Sequence, residues 1–205
     1  EMGKWFFQKG YRLQSNRLMR VISGKFRGKK LLIPSDEYTR PLRDTVKESI
    51  FNILQHSKLL DHSLLNSNIL DLFSGVGTFG LECISRESKH VTFFENYPPA
   101  LKMLKKNIQN LNCSLKAKVV EKDIFDLKKL NIPLKNYEFI FLDPPFKELR
   151  IKTLLNLIKD KNILKKNGVI LIHRDRKTLD QFPEDFKIII KKNYGRSRIL
   201  FGKFY

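Results

Sequence analysis

From Asn68 onward, short apolar runs alternate with amphipathic stretches, and this alternation is the tightest constraint on what the chain can fold into. Strand, helix, strand in succession is the pattern of a parallel sheet with crossover helices, an α/β fold. Ile69-Leu70 opens the first such strand, and Phe79-Gly80-Leu81-Glu82-Cys83-Ile84 belongs to the helix after it. Val91-Thr92-Phe93-Phe94 is the second strand, and a helix starts near Pro98-Pro99, where prolines are tolerated, and runs to Asn110. Ala117-Lys118-Val119-Val120 is the third strand, and Asp123-Ile124-Phe125 leads into a short helix. Tyr137 to Leu142 is the fourth, Ile151, Leu154, Leu155 and Ile158 mark a helix face, and Gly168 opens a fifth strand over Val169 to Ile172. Phe186 to Ile190 and Arg198 to Phe204 form a closing antiparallel pair joined near Tyr194-Gly195.

The fourth strand ends in Asp143-Pro144-Pro145-Phe146. Two successive prolines cannot donate to a sheet ladder and hold Asp143 and Pro144 in extended backbone. The strand therefore stops abruptly, releasing a carboxylate, unpaired carbonyls and an aromatic ring at its carboxyl end, where open α/β sheets bind ligands. A carboxylate and a nearby carbonyl are both acceptors, so together they can hold the two hydrogens of an exocyclic amine. An aromatic amine is a poor nucleophile because its lone pair is delocalised into the ring. Accepting both hydrogens favours a pyramidal nitrogen with its lone pair aimed outward. Phe146 could stack on the base that carries the amine, a contact worth about 1–3 kcal/mol. Taken alone, the tetrapeptide suits a strand-ending turn, which needs Asp and Pro only for shape, better than it suits a base pocket.

Between the first strand and its helix lies Asp71-Leu72-Phe73-Ser74-Gly75-Val76-Gly77-Thr78-Phe79-Gly80. Gly75, Gly77 and Gly80 fit G-x-G-x-x-G in its required setting, after a strand and opening a helix. The second strand ends at Glu95, placed to accept hydrogen bonds from ribose hydroxyls. Together these features indicate a nucleoside-containing cofactor, either a nicotinamide dinucleotide or S-adenosylmethionine. Hydride transfer has no use for Asp-Pro-Pro-Phe, whereas methylation of a base amine does. Asp71 would repel a pyrophosphate but could anchor a methionine ammonium. Asp123 could bond the adenine amine or simply cap the helix that follows it.

The net charge is +19 and the pI about 10.0, a field that attracts polyanions. Cys83 and Cys113 are isolated and the four histidines (His56, His62, His90, His173) are scattered, so no metal site is expected. No apolar run approaches the 18 residues of a membrane span, and a cytoplasmic monomer is expected. Residues 1–18 form an N-terminal extension of no assigned function, expected to be disordered. Met19 to Ser23 and Lys30 to Pro34 predict a β-hairpin around Gly24-Lys25-Phe26-Arg27-Gly28. Arg20, Lys25, Arg27, Lys29 and Lys30 surround Phe26, a pattern for phosphate contact plus base stacking, or for a solvated hairpin with Phe26 folded down. A helix follows with Val46, Ile50, Phe51 and Leu54 on one face, Asp44 as its cap, and Lys47 and Glu48 solvated. Arg40 and Arg43 precede it and could meet cofactor, nucleic acid or only solvent.

In order along the chain, Met19 to Gly28, Arg40-Pro41, Asp44, Val46, Glu48, Phe51-Asn52-Ile53-Leu54, Asp71-x-Phe73-Ser74-Gly75-x-Gly77, Glu95, Asp123 and Asp143 to Phe146 resemble the RsmD family of class I methyltransferases. The resemblance runs from Met19 nearly to the end and implies a Rossmann-like, mostly parallel sheet of seven strands with the last antiparallel, plus the N-terminal hairpin. It divides the chain into the extension 1–18, an RNA-contacting hairpin and helix over 19–60, and a methyltransferase domain over 61–205. It implies methyl transfer from S-adenosylmethionine to the N2 amine of a guanine in small-subunit ribosomal RNA, naked or in the assembling subunit. Asp71, Phe73, Ser74, Gly75, Gly77, Glu95, Asn96, Asp123 and Ile124 would hold the cofactor. Asp143, Pro144, Pro145 and Phe146 would hold and activate the base, which must leave its stack. Arg20, Lys25, Phe26, Arg27, Lys29, Arg40 and Arg43 would contact RNA. His173 departs from the pattern, standing where relatives often carry an acid. The rivals are a DNA adenine-N6 methyltransferase, a non-catalytic nucleic-acid-binding protein on the same fold and, last, an NAD-dependent dehydrogenase.

Overall fold

The computed structural model describes residues 19–36, 42–128 and 136–205. Its centre is a sheet of seven strands: β3 (Asn68–Leu72), β4 (His90–Phe94), β5 (Ala117–Val120), β6 (Tyr137–Leu142), β7 (Leu164–Asp175), β8 (Phe186–Tyr194) and β9 (Ser197–Phe204). The spatial order is β5-β4-β3-β6-β7-β9-β8. The first five of these neighbours run parallel, and β9 lies antiparallel to both β7 and β8. Every residue of β6 is buried, as its aromatic and β-branched run requires of a strand covered on both faces.

Side chains alternate across this sheet with period two. Ile69, Val91, Phe93, Phe139, Phe141, Val169 and Leu171 face a core shared with α1 (Asp44–His56), α2 (Thr78–Ser85) and α3 (Pro98–Asn110). Leu70, Leu72, Phe94, Ile140, Leu142, Ile170 and Ile172 face a second core under α4 (Ile151–Asp160), which buries Ile151, Leu154, Leu155 and Ile158. Phe79 stacks between Phe51 and Phe141, with centroids at 5.4 and 4.1 Å. Residues 19–60 contribute Met19, Val21, Leu31, Val46, Ile50 and Phe51 to the first core, so the hairpin and α1 are built into the sheet domain.

Three local expectations need correction. The hairpin pairs only β1 (Met19–Arg20) with β2 (Lys30–Leu31), because the Ile22 and Ser23 N–H groups donate to Glu82 at 2.8 and 3.0 Å and not to a facing strand. Arg43 takes the N-cap of α1, and Asp44 is the first helical residue. Lys47 is fully buried, its Nζ donating to the Arg20 carbonyl at 2.6 Å and lying 3.3 Å from Asp44. In addition, β7 begins at Leu164, ahead of Gly168, with a register shift opposite Tyr137–Phe139; Lys165 in that stretch pairs with Glu138 at 2.7 Å. Arg40 and residues 1–18 lie outside the described residues, and no described helix is long and apolar enough to cross a membrane.

Candidate active site

The carboxyl ends of β3, β6 and β7 lie side by side, with Leu72 opposite Leu142 and Leu142 opposite Ile172. Period-two alternation therefore sends Asp71, Asp143 and His173 to one face, the face of α2. The Asp143 N–H continues the ladder to the Leu72 carbonyl at 3.3 Å before the prolines end it. The glycine loop and the Asp143 corner thus leave adjacent strands at the same edge.

Asp71 is 1% exposed; its Oδ2 accepts the Gly80 N–H at 3.0 Å at the start of α2, and its Oδ1 has no partner among the described residues. Burial pushes its carboxyl well above the usual range; the Gly80 N–H opposes this, and the charges of Asp143 and Glu95 add to the rise. A buried, orphaned carboxylate oxygen beside two further acids is a seat for a cation. Phe73 holds a left-handed φ of +61°, a backbone state costing a bulky residue about 1–3 kcal/mol and concentrated at ligand sites. Its ring meets Phe125 at 6.2 Å. Ser74 locks the loop, its Oγ donating to the Asp71 carbonyl at 2.6 Å and its N–H to the Phe94 carbonyl at 2.9 Å. Gly75, at φ +55°, faces open space: a Cβ there would meet nothing within 4 Å, and the backbone is bare for a ligand to approach.

Glu95 closes the loop from β4, accepting from Gly75 N–H at 2.7 Å through Oε2, and from Asn96 and Tyr97 N–H at 2.9 Å through Oε1. A carboxylate offers about four lone-pair sites, so acceptor capacity remains on Oε2. Asn96 is exposed beside it. Asp123 Oδ1 accepts the Phe125 N–H at 2.9 Å, the bond of a cap, while Ile124 is buried in the second core. Sulfonium and ammonium cations, ribose hydroxyls and an adenine amine match this donor set: two buried or half-buried acids, a bare glycine loop and a third acid beyond.

The Asp143 corner is held from β7. His173, 7% exposed, joins its Nδ1 to Asp143 Oδ1 at 2.8 Å and its Nε2 to Ser197 Oγ at 2.9 Å. Phe146 meets the His173 ring edge-on, centroids 6.0 Å apart. The next residue, Arg174, turns to the opposite face and is fully buried; it donates to the carbonyls of Pro145 (3.2 Å) and Glu148 (2.7 Å) and to Asp180 Oδ1 (2.9 Å). Asp180 also takes Arg198 at 3.0 Å. Sequence reasoning missed Arg174 and Asp180. The available signal was an arginine inside an apolar strand run, at the position after the residue aligned with Asp143.

The expected RNA-contacting residues divide. Arg20 sits beside the first turn of α1, 3.6 Å from Asp44, and Arg43 is exposed at the cap of that helix. Lys25, Phe26 and Arg27 lie at the other end of α2 from the glycine loop, where Lys25 and Phe26 N–H groups bond Ser85. Phe26 is half-buried against the first core, with Lys25 Nζ 6.0 Å from its ring; Arg27 and Lys29 are exposed. Nearer the crevice, Arg176, Lys177 and Arg196 line a hollow of about 460 Å³ with Asp175 and Gly195. A cleft of about 740 Å³ between α1 and β8, lined by Ser49, Asn52, His56, Lys192 and Tyr194 among others, contains none of the acids or glycines above.

The model of the family described as Conserved hypothetical protein 95 matches residues 19–203. A Haemophilus influenzae protein named Ribosomal RNA small subunit methyltransferase D is 34% identical over 178 residues, 86% of this chain and 89% of that one. The Putative rRNA methyltransferase YlbH of Bacillus subtilis is 35% identical over 191 residues, 90% of this chain and 98% of its own. Among solved structures, the putative methyltransferase yhhF from Escherichia coli superimposes with a TM-score of 0.76 at 26% identity, over 91% of this chain and 98% of that one.

Proposed function

This chain belongs to the Conserved hypothetical protein 95 family, the RsmD family, and from that premise we propose that it methylates the N2 amine of a guanine in small-subunit ribosomal RNA. S-adenosylmethionine supplies the electrophilic methyl group on a sulfonium. Asp71 and Glu95, with the bare loop at Gly75, hold the cofactor's cationic and ribose ends, and Asp123 with Ile124 borders its base. The Asp143 carboxylate and the Pro144 carbonyl accept the two amine hydrogens, and Phe146 stacks on the extruded guanine. The chain's main contribution is alignment of nucleophile and electrophile. As the nitrogen gains its methyl group it releases a proton, which Asp143 Oδ2 takes in this reading. Lys147, Arg176 and Arg196, exposed beyond the carboxyl ends of β6 and β7, and Arg43, exposed at the cap of α1, take the phosphates flanking the base.

The observation that carries this reading is the shared edge: the loop beginning at Asp71 and the corner at Asp143 leave neighbouring strands in register. Mass spectrometry of ribosomal RNA from cells with and without the gene tests it. A guanine that loses one methyl group in the deletion supports the reading. Unchanged small-subunit RNA, or label from the cofactor appearing in DNA instead, overturns it.

A further inference from the structure

His173 touches both working parts of the corner, the acid through Nδ1 and the aromatic ring edge-on, while its far nitrogen is fixed by Ser197. With Oδ1 of Asp143 committed to the imidazole, Oδ2 is the carboxylate oxygen that makes no hydrogen bond among the described residues. We propose that His173 is a positioning residue that aims Asp143 Oδ2 at the target amine and, through its own charge, sets how strongly that carboxylate accepts. This assignment rests on the methyl-transfer reading above and deepens it at one residue.

His173 acts on Asp143 through geometry and through charge. A carboxylate on a strand end can rotate about its own Cβ–Cγ bond, and an acceptor that must meet both an amine hydrogen and an in-line trajectory loses rate when it does. The bond to a buried imidazole, itself held at its other nitrogen by β9, removes that rotation. Charge acts beside geometry. The groups facing the ring are Asp143 from β6, Phe146 beyond it and Ser197 from β9, while Arg174, next on its own strand, acts on it by charge from the opposite face. Burial pushes the imidazole down, and the charge and hydrogen bond of Asp143 outweigh it, against a smaller contribution from Arg174, so the proton is held above the ordinary histidine range. Below that raised value an imidazolium neutralises Asp143. Above it the carboxylate keeps its full negative charge and accepts the amine better.

The test is the pH dependence of kcat on small ribosomal subunits lacking the modification, with calorimetry of S-adenosylmethionine binding and thermal melting as controls of folding. The wild-type rate should rise with pH through an inflection above the ordinary imidazole value. His173→Asn, whose amide can donate as Nδ1–H does, should keep the alkaline rate within roughly threefold and lose the inflection. His173→Ala should lower kcat by roughly ten- to thirtyfold with cofactor affinity unchanged. A His173→Ala variant with the wild-type rate and profile would overturn the proposal. NMR titration of the His173 ring needs no substrate. Asp143→Asn should lower its midpoint, and an unmoved midpoint overturns the proposal whatever the activity. A wild-type enzyme that methylates no ribosomal RNA would instead defeat the functional reading, leaving the imidazole titration to decide the coupling.

Discussion

Asp143, Glu95 and Asp71 are three carboxylates within one crevice, and each is predicted to fail differently when removed. Asp143→Ala should lower turnover by about a hundredfold or more while calorimetry shows S-adenosylmethionine binding largely intact. Phe146→Ala removes the proposed stacking partner of the base, a contact worth about 1–3 kcal/mol, which should appear as a higher KM for RNA with less effect on cofactor affinity. Glu95→Ala should weaken cofactor binding by roughly ten- to a hundredfold, the loss expected for a charge-assisted hydrogen bond. Asp71 behaves otherwise because its folded value is raised. Its stabilising contribution is complete below the unfolded carboxylate range and drains away as pH rises through the folded value. Asp71→Asn should therefore raise the melting temperature of the cofactor-free protein at neutral pH, flatten its pH dependence, and weaken cofactor binding.

At the level of elements, charged residues inside apolar segments hold the pieces together. Glu82, fully buried in α2, takes the N–H groups of Ile22 and Ser23 and the Arg86 side chain at 2.9 Å. Glu82→Ala should cost about 3–5 kcal/mol in chemical denaturation, since it takes the carboxylate partner from Arg86 and leaves two backbone donors unpaired. Gly24 serves the same junction: at φ +76°, a Cβ on it would meet the Ser85 carbonyl oxygen at 2.0 Å, so Gly24→Ala should loosen the hairpin from α2. Asp180→Ala strands Arg174 and Arg198 together, and should lower both stability and turnover because Arg174 pins the loop after Asp143. These roles were hard to read from the sequence. The strands, the crossover helices and the glycine loop follow from local periodicity and turn chemistry, which act over a few residues. Lys47, Glu82 and Arg174 look solvated in such windows; what buries them are partners supplied by distant segments, such as Arg20 for Lys47 and Ile22 for Glu82. His173 was visible as an oddity, and its meaning came only from strand register with Asp143.

For the molecule as a whole, the charge of +19 sets the regime in which it meets RNA. Affinity for ribosomal RNA should fall steeply with salt, with a log–log slope of roughly −0.7 to −0.9 per phosphate neutralised. Replacing Arg176 and Arg196 should reduce that slope by about one each if they take phosphates, with cofactor affinity unaltered. Burial lifts the thiol of Cys113 to about 11 and that of Cys83 well above its usual range, so neither is a ready nucleophile at neutral pH.

The sheet order places β9 between β7 and β8, and it is β9 that brings Ser197 against His173. The wall behind Asp143 is therefore missing until a segment far downstream threads into the gap. A partly synthesised chain would already carry the glycine loop and the proline-ended strand, yet lack the support that makes them competent. Full turnover should therefore come only once β9 has inserted between β7 and β8.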